Sequence, residues 1–140
     1  MFIAKTFEAA SPEVLLVERA ANVDRAVSSA FEQVKPPVTV VAVGGYGREE
    51  LFPFSDVDLL LLVDKIPDTA AGKGPISEFL RILWDQGHRV SQSVRTVADS
   101  CELHDGNLEL TISLLDQRYV CGDTPRFADL EKRFRPAQDL

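Results

Sequence analysis

The chain has 140 residues, enough for one domain with a real hydrophobic core and too few for two of ordinary size. Its 45% hydrophobic and 26% charged content excludes a disordered tail, and 8 Gly with 8 Pro are far too few for a collagen-like chain. Lys and Arg number 15 against 22 Asp and Glu, a formal net charge of −7, so the surface as a whole repels a phosphate backbone and no DNA or RNA partner is expected. Cys101 and Cys121 lie far apart with no C-x-x-C partner, and with two histidines at the wrong spacing they do not compose a zinc site. They read as reduced thiols. Met1-Phe2-Ile3-Ala4-Lys5 has no leader pattern, and the longest apolar run, Leu59 to Val63, is too short to span a bilayer. The expectation is a soluble cytoplasmic domain with no membrane partner.

Ser11-Pro12-Glu13 predicts a helix start, with the Ser11 hydroxyl accepting from an orphan N–H, proline at the first helical position and Glu13 at the positive end of the dipole. Leu16, Ala20, Val23, Val27, Ala30, Phe31 and Val34 continue it as an apolar stripe that Pro36-Pro37 stops. Val38 to Val43 is β-branched and bounded by proline and Gly-Gly, a buried strand. Gly44 to Ser55 reads as a loop with room for a helical turn around Arg48-Glu49-Glu50-Leu51. Val57 to Val63 is a second strand, apolar nearly throughout, as expected where both faces of a sheet are covered. Asp64 to Pro75 is a connection, followed by a helix with Ile76, Phe79, Leu80, Leu83 and Trp84 on one face, ending at Gly87. Arg89 to Arg95 is a third strand, Val97 to Leu103 and Leu108 to Gln117 are helical, Arg118 to Cys121 is a short segment, and a last helix runs from Pro125 to Phe134. Alternating strands and helices predict an α/β (α+β) fold, a mixed β-sheet flanked by helices. The whole forms one domain: an N-terminal helical segment over 1–36, a core over 37–122 and a C-terminal helix over 123–140. Arg133-Phe134-Arg135-Pro136 carries no packing signal, so the domain reads as part of a longer chain.

The chemistry is concentrated between Val43 and Leu59. Asp56 and Asp58 project to one side of a strand, their Cα atoms roughly 7 Å apart by strand rise. Two carboxylates entering a strand that continues Leu-Leu-Leu-Leu-Val repel each other and resist desolvation, so a cation is expected between them. Oxygen-only ligands favour Mg²⁺ or Mn²⁺, which uses one or two carboxylates plus substrate phosphates. Gly44, Gly45 and Gly47 leave backbone N–H groups uncovered for an anion, and Arg48 adds a planar, permanently charged fork. Taken singly, each part has a plainer reading: Gly-Gly a turn, Asp-x-Asp two solvated acids, Arg48 a surface pair with Glu49 or Glu50. Together, at one end of two adjacent strands, they suit an enzyme that handles a nucleoside triphosphate.

At these residues the sequence resembles the DNA polymerase β-type nucleotidyltransferase superfamily, marked by an apolar strand, Gly-Gly or Gly-Ser, a loop of this length, and Asp-apolar-Asp. The longer string Gly44-Gly45-Tyr46-Gly47-Arg48-Glu49-Glu50-Leu51-Phe52-Pro53-Phe54-Ser55-Asp56-Val57-Asp58-Leu59 is similar to the nucleotidyltransferase domain of the bacterial PII uridylyltransferase family, which also removes uridylyl groups and serves nitrogen regulation. Phe79 to Asp85, Ser93 to Thr96 and Leu114 to Asp123 fit the same family. The resemblance implies a polymerase β-like nucleotidyltransferase fold in which Asp56 and Asp58 are catalytic and coordinate Mg²⁺. It implies nucleotide binding by Gly44, Gly45, Tyr46, Gly47, Arg48 and Ser55, with the two leading glycines on the triphosphate and Tyr46 a candidate for base stacking. The implied reaction moves UMP from UTP to a tyrosine of a PII-type signal protein, releasing pyrophosphate. Uridylyl removal and glutamine sensing belong to domains outside this string and are not expected of it.

The resemblance is incomplete at one place. The superfamily usually supplies a third carboxylate from a later strand, and Arg89 to Arg95 contains none. Ser93 reads as standing where related adenylyltransferases carry Asp, and Arg95, on the same strand face, is a candidate contact for nucleotide or the acids. Three alternatives follow: an adenylyltransferase-type relative acting on glutamine synthetase or another protein, a catalytically inactive nucleotide-binding domain, or a dinucleotide-binding module. The last fails because the third glycine of Gly-x-Gly-x-x-Gly falls on Glu50.

Overall fold

The computed structural model describes residues 11–101 and 114–139. In chain order it contains α1 (Pro12–Val34), β1 (Thr39–Ala42), the short helical turn α2 (Gly44–Gly47), β2 (Val57–Leu62), α3 (Ala70–Asp85), β3 (Val90–Arg95), α4 (Val97–Cys101), a 3₁₀ turn (Leu114–Asp116), β4 (Arg118–Gly122) and α5 (Thr124–Asp139). The four strands form one mixed sheet in the order β3-β2-β1-β4. The central strand β1 runs antiparallel to both neighbours, with Thr39 opposite Leu62 and Ala42 opposite Leu59, while β2 and β3 are parallel. No described helix is long and apolar enough to cross a membrane.

Helices cover both faces of the sheet, which is why β2 is a leucine run rather than an alternation. Val40, Ala42, Leu59 and Leu61 pack against Ala20, Val23, Val27 and Ala30 of α1 and Ile76, Phe79, Leu80 and Leu83 of α3. Val41, Val43, Leu60 and Leu62 face the other way, onto Val97, Leu114, Leu130 and Phe134. Phe31 and Phe79 meet edge to face at 6.2 Å, tying the two helices of the first layer together. Ser11 caps α1 as expected, its hydroxyl accepting from Val14 N at 3.2 Å.

Four expectations are corrected. The helical turn in the glycine segment lies over Gly44–Gly47, ahead of Arg48 to Leu51. α3 begins at Ala70, inside the expected connection, because the Thr69 hydroxyl accepts from Gly72 N at 3.1 Å and starts the helix there, which leaves Pro75 inside it. Trp84 is 47% exposed, since it lies at the edge of the α3 stripe and turns off the sheet. α5 extends to Asp139 and buries Phe134, the packing signal taken to be missing. Of the helix expected over Leu108 to Gln117, residues 108–113 lie outside the described residues and Leu114–Asp116 is a 3₁₀ turn; of the helix expected over Val97 to Leu103, residues 102 and 103 lie outside them.

Gly47 sits where α2, β1 and the 3₁₀ turn converge. A Cβ there would lie 2.1 Å from the Asp116 carbonyl oxygen and 2.9 Å from that of Ala42. Gly47→Ala should therefore lower unfolding free energy by about 1–3 kcal/mol, the usual cost of overpacking. Gly74→Ala, placed in α3 where a Cβ meets nothing within 4 Å, should raise it by about 0.5–1 kcal/mol. Denaturant midpoints of the two variants against the parent check both signs.

Candidate active site

The site begins where β1 ends. Gly44 adopts φ +60°, and a Cβ on it would lie 2.9 Å from Asp58 Oδ2, so glycine is required both by the backbone and by the acid that it faces. The chain then coils through α2, whose first repeating bond runs from Gly47 N to Val43 O at 3.1 Å. The N–H groups of Gly44, Gly45 and Tyr46 precede that bond and have no partner within the turn. Gly45 is not sterically confined, its nearest atoms being 3.6 and 3.7 Å from a would-be Cβ.

Arg118, the first residue of β4, holds this turn from behind. Its Nη1 and Nη2 donate to the two carboxylate oxygens of Asp24 on α1 at 2.8 and 3.2 Å, and Nη2 also donates to Tyr46 O at 3.0 Å. Its guanidinium carbon lies 5.1 Å from the centre of the Tyr46 ring. The Tyr46 hydroxyl donates to Asp24 as well, and burial, reinforced by that carboxylate, pushes the phenol well above its ordinary range. The phenol thus stays a donor across the working pH range.

Asp56 and Asp58 flank Val57 at the start of β2, on the sheet face that carries Leu60 and Leu62. A cleft of about 490 Å³ opens over them, lined by Gly45, Arg48, Glu50, Leu51, Phe52, Phe54, Ser55, Asp56 and Asp58. Arg48 is about half exposed, with Nη1 2.8 Å from Asp116 Oδ2 and Nε 3.6 Å from Glu50 Oε2. Arg89 Nε is 3.4 Å from Asp56 Oδ1. Burial first, and then the charge of Asp56, raise the Asp58 carboxyl above the usual carboxylate range.

Five of the expected residues, Gly45, Arg48, Ser55, Asp56 and Asp58, line one cleft, and Gly44 abuts Asp58. One is corrected: Tyr46 is 0% exposed and anchored to α1, so its ring is not available for base stacking. Gly47 is buried, and packing against the Asp116 carbonyl requires glycine there. On β3 the parallel register sets Ser91 beside Asp58, Ser93 beside Leu60 and Arg95 beside Leu62. The neighbour of the acid is therefore Ser91, and Arg95 lies four residues farther along, about 13 Å by strand rise. Sequence reasoning missed Ser91, because the register of a parallel pair joined through a helix is not written locally. It gave no role to Asp24, nor to Asp116 and Arg118, although these two lie in the Leu114 to Asp123 stretch that fits the family.

The donor set suits a hard divalent ion: two carboxylates, one of them held half-desolvated against its neighbour, with open cleft volume for further oxygen ligands. Among the described residues no three acidic, histidine or cysteine side chains gather in one group. Because the raised Asp58 carboxyl keeps its proton in the folded state at pH values where the unfolded chain has lost it, its contribution to stability is greatest below the ordinary carboxylate range and falls as pH rises through the raised value. Asp58→Asn should consequently melt no lower than the parent at neutral pH in chelator, with any advantage shrinking as the solution is acidified. Melting curves of both proteins across the acidic range decide this, and a lower melting temperature at neutral pH would mark Asp58 as a structural acid.

A sequence model of the nucleotidyltransferase domain matches residues 24–98, a span that runs from Asp24 through both acids and β3 into the start of α4. The chain is 42% identical over 112 residues to the bifunctional uridylyltransferase/uridylyl-removing enzyme of Pseudomonas aeruginosa, covering 77% of this chain and 12% of that protein. It is 39% identical over 131 residues to the enzyme of the same name from Cupriavidus metallidurans, and 38% over 130 residues to that from Aromatoleum aromaticum, covering 92% and 90% of this chain and 15% of each relative. The chain thus spans about one seventh of the length of these relatives. The matched stretch contains the glycine turn, the acid pair and three of the four strands, β1, β2 and β3, and the chain belongs to the nucleotidyltransferase family.

Proposed function

We propose that this domain transfers UMP from UTP to a tyrosine hydroxyl of a PII-type signal protein and releases pyrophosphate, as the nucleotidyltransferase portion of a longer cytoplasmic protein concerned with nitrogen regulation. The observation that carries the reading is the convergence of Asp56, Asp58, Gly45 and Arg48 on one cleft. The uridylyltransferase in the names of the relatives supports the choice of UTP.

Asp56 and Asp58 would hold Mg²⁺ or Mn²⁺ between them, the ion drawing charge from the α-phosphate and the departing pyrophosphate when bound. The unpaired N–H groups at the start of α2 and the Arg48 fork take the β- and γ-phosphate oxygens, with Arg48 exchanging its exposed pairs with Asp116 and Glu50 for the polyanion. Ser55, on the same cleft, offers a hydroxyl beside the first acid. The acceptor oxygen attacks the α-phosphorus, the bond to the pyrophosphate oxygen breaks, and the hydroxyl proton passes to solvent water. The role of the protein is mainly positional and electrostatic, as is usual for this chemistry.

Binding to the folded state alone stabilises it by about 2.7 kcal/mol at a hundred-fold excess over Kd. Mg²⁺–UTP at millimolar concentration should therefore raise the melting temperature well beyond Mg²⁺ alone, and Asp58→Asn should abolish most of that rise. Parallel titrations with ATP, CTP and GTP rank the nucleotides. No rise in the parent protein, or a rise untouched by Asp58→Asn, would overturn the assignment.

A further inference from the structure

The loop from Arg48 to Asp56 contains two of the three described non-glycine residues with positive φ, Glu49 at +60° and Phe54 at +69°. The left-handed region costs an ordinary L-residue about 1–2 kcal/mol. Phe54 recovers none of that by burial, because it is 90% exposed, more than any other described large hydrophobic residue. Its backbone is nevertheless fastened in place: Ser55 N donates to Phe52 O at 3.1 Å, and Arg89 Nη1 donates to Phe54 O at 3.4 Å while Arg89 Nε pairs with Asp56. A strained backbone tied to a candidate catalytic acid, displaying an unpacked aromatic ring, calls for a functional account.

Phe54 lines the acid cleft together with Phe52, and among the described residues the two are its only aromatic residues; both also border the neighbouring cavity of about 860 Å³. The cleft thus has Gly45 and Arg48 for a polyanion, Asp56 and Asp58 for a cation, and an apolar aromatic wall. Its volume of about 490 Å³ lies within the usual range for small-molecule sites. A nucleoside triphosphate has the same polarity, charged at one end and planar at the other. Tyr46, the other aromatic residue of the segment, is enclosed in the core. We infer that Phe54 is the platform on which the nucleobase of the bound triphosphate stacks. The inference rests on the nucleotidyl-transfer reading above. Stacking on a ring face tolerates any base, so Phe54 strengthens nucleotide binding without choosing among the four.

Calorimetric titration of the chain with Mg²⁺–UTP and, as a probe without a base, Mg²⁺–tripolyphosphate tests it. Phe54→Ala should weaken UTP at least about five-fold, the lower end of base–aromatic stacking, while tripolyphosphate stays within about two-fold of the parent. Phe54→Trp should restore UTP affinity. Phe54→Gly should show the same loss for UTP and a higher melting temperature without nucleotide, since glycine relieves the left-handed backbone. UTP affinity unmoved by Phe54→Ala, or equal losses for UTP and tripolyphosphate, overturns the platform and leaves the phosphate and metal assignments standing. A parent protein that binds neither ligand overturns the nucleotidyl-transfer reading and the platform with it.

Discussion

Arg118 crosses from the first position of β4 to Asp24 on α1 and, on the way, binds the carbonyl of Tyr46 and stacks on its ring. The part-buried guanidinium is held because its donors are answered in a fixed plane, and Asp24 answers two of them side by side. Tyr46 closes the circuit through its hydroxyl. The result is that a glycine-rich turn, which has little intrinsic preference for any one shape, is held in a single shape from its buried side. On its opposite side Gly45 lines the cleft. Lys cannot replace Arg118 without losing the paired contact to Asp24, because an ammonium lacks the planar fork.

The sheet imposes the second constraint. Leu59 to Leu62 are buried on both faces, and each such side chain contributes about 1.5–3 kcal/mol by leaving water. That burial fixes β2, so both acids at its start inherit a position, and Asp58 is half-buried there while Asp56 stays exposed. Gly44 then approaches Asp58 more closely than any side chain would permit. The acid whose ionisation is opposed by burial and by a like charge is therefore also the one that the glycine confines.

Most of the fold was legible in the sequence because its signals are local. Ser11 before Pro12, the stripe from Ala20 to Ala30, and the β-branched and leucine runs each specify their element within a few residues. The acid pair was legible for the same reason, since alternation along a strand puts Asp56 and Asp58 on one side. The early start of α3 was hidden because one threonine cap outweighed several helix breakers. The roles of Tyr46, Gly47 and Ser91 were hidden because they depend on what comes alongside: Arg118 and Asp24 for Tyr46, the Asp116 carbonyl for Gly47, and the parallel register for Ser91. Tyr46 within a glycine-rich motif looks like a ligand contact until the far end of the chain is seen packed against it.

The separation of Asp24 from Arg118, 94 positions along the chain, has a consequence for assembly. β1, β2 and β3 can form among residues close in sequence, and the acid pair can reach its place with them. The glycine turn cannot be locked until β4 has docked on the far side of β1, and closing so long a loop is slow relative to local events. During synthesis from the N-terminus, a nascent chain that has exposed both carboxylates still lacks the clamp behind the turn. The glycine turn is therefore the last part of the cleft to be fixed, and a chain stalled before Arg118 has emerged would carry the acids without the clamped turn beside them.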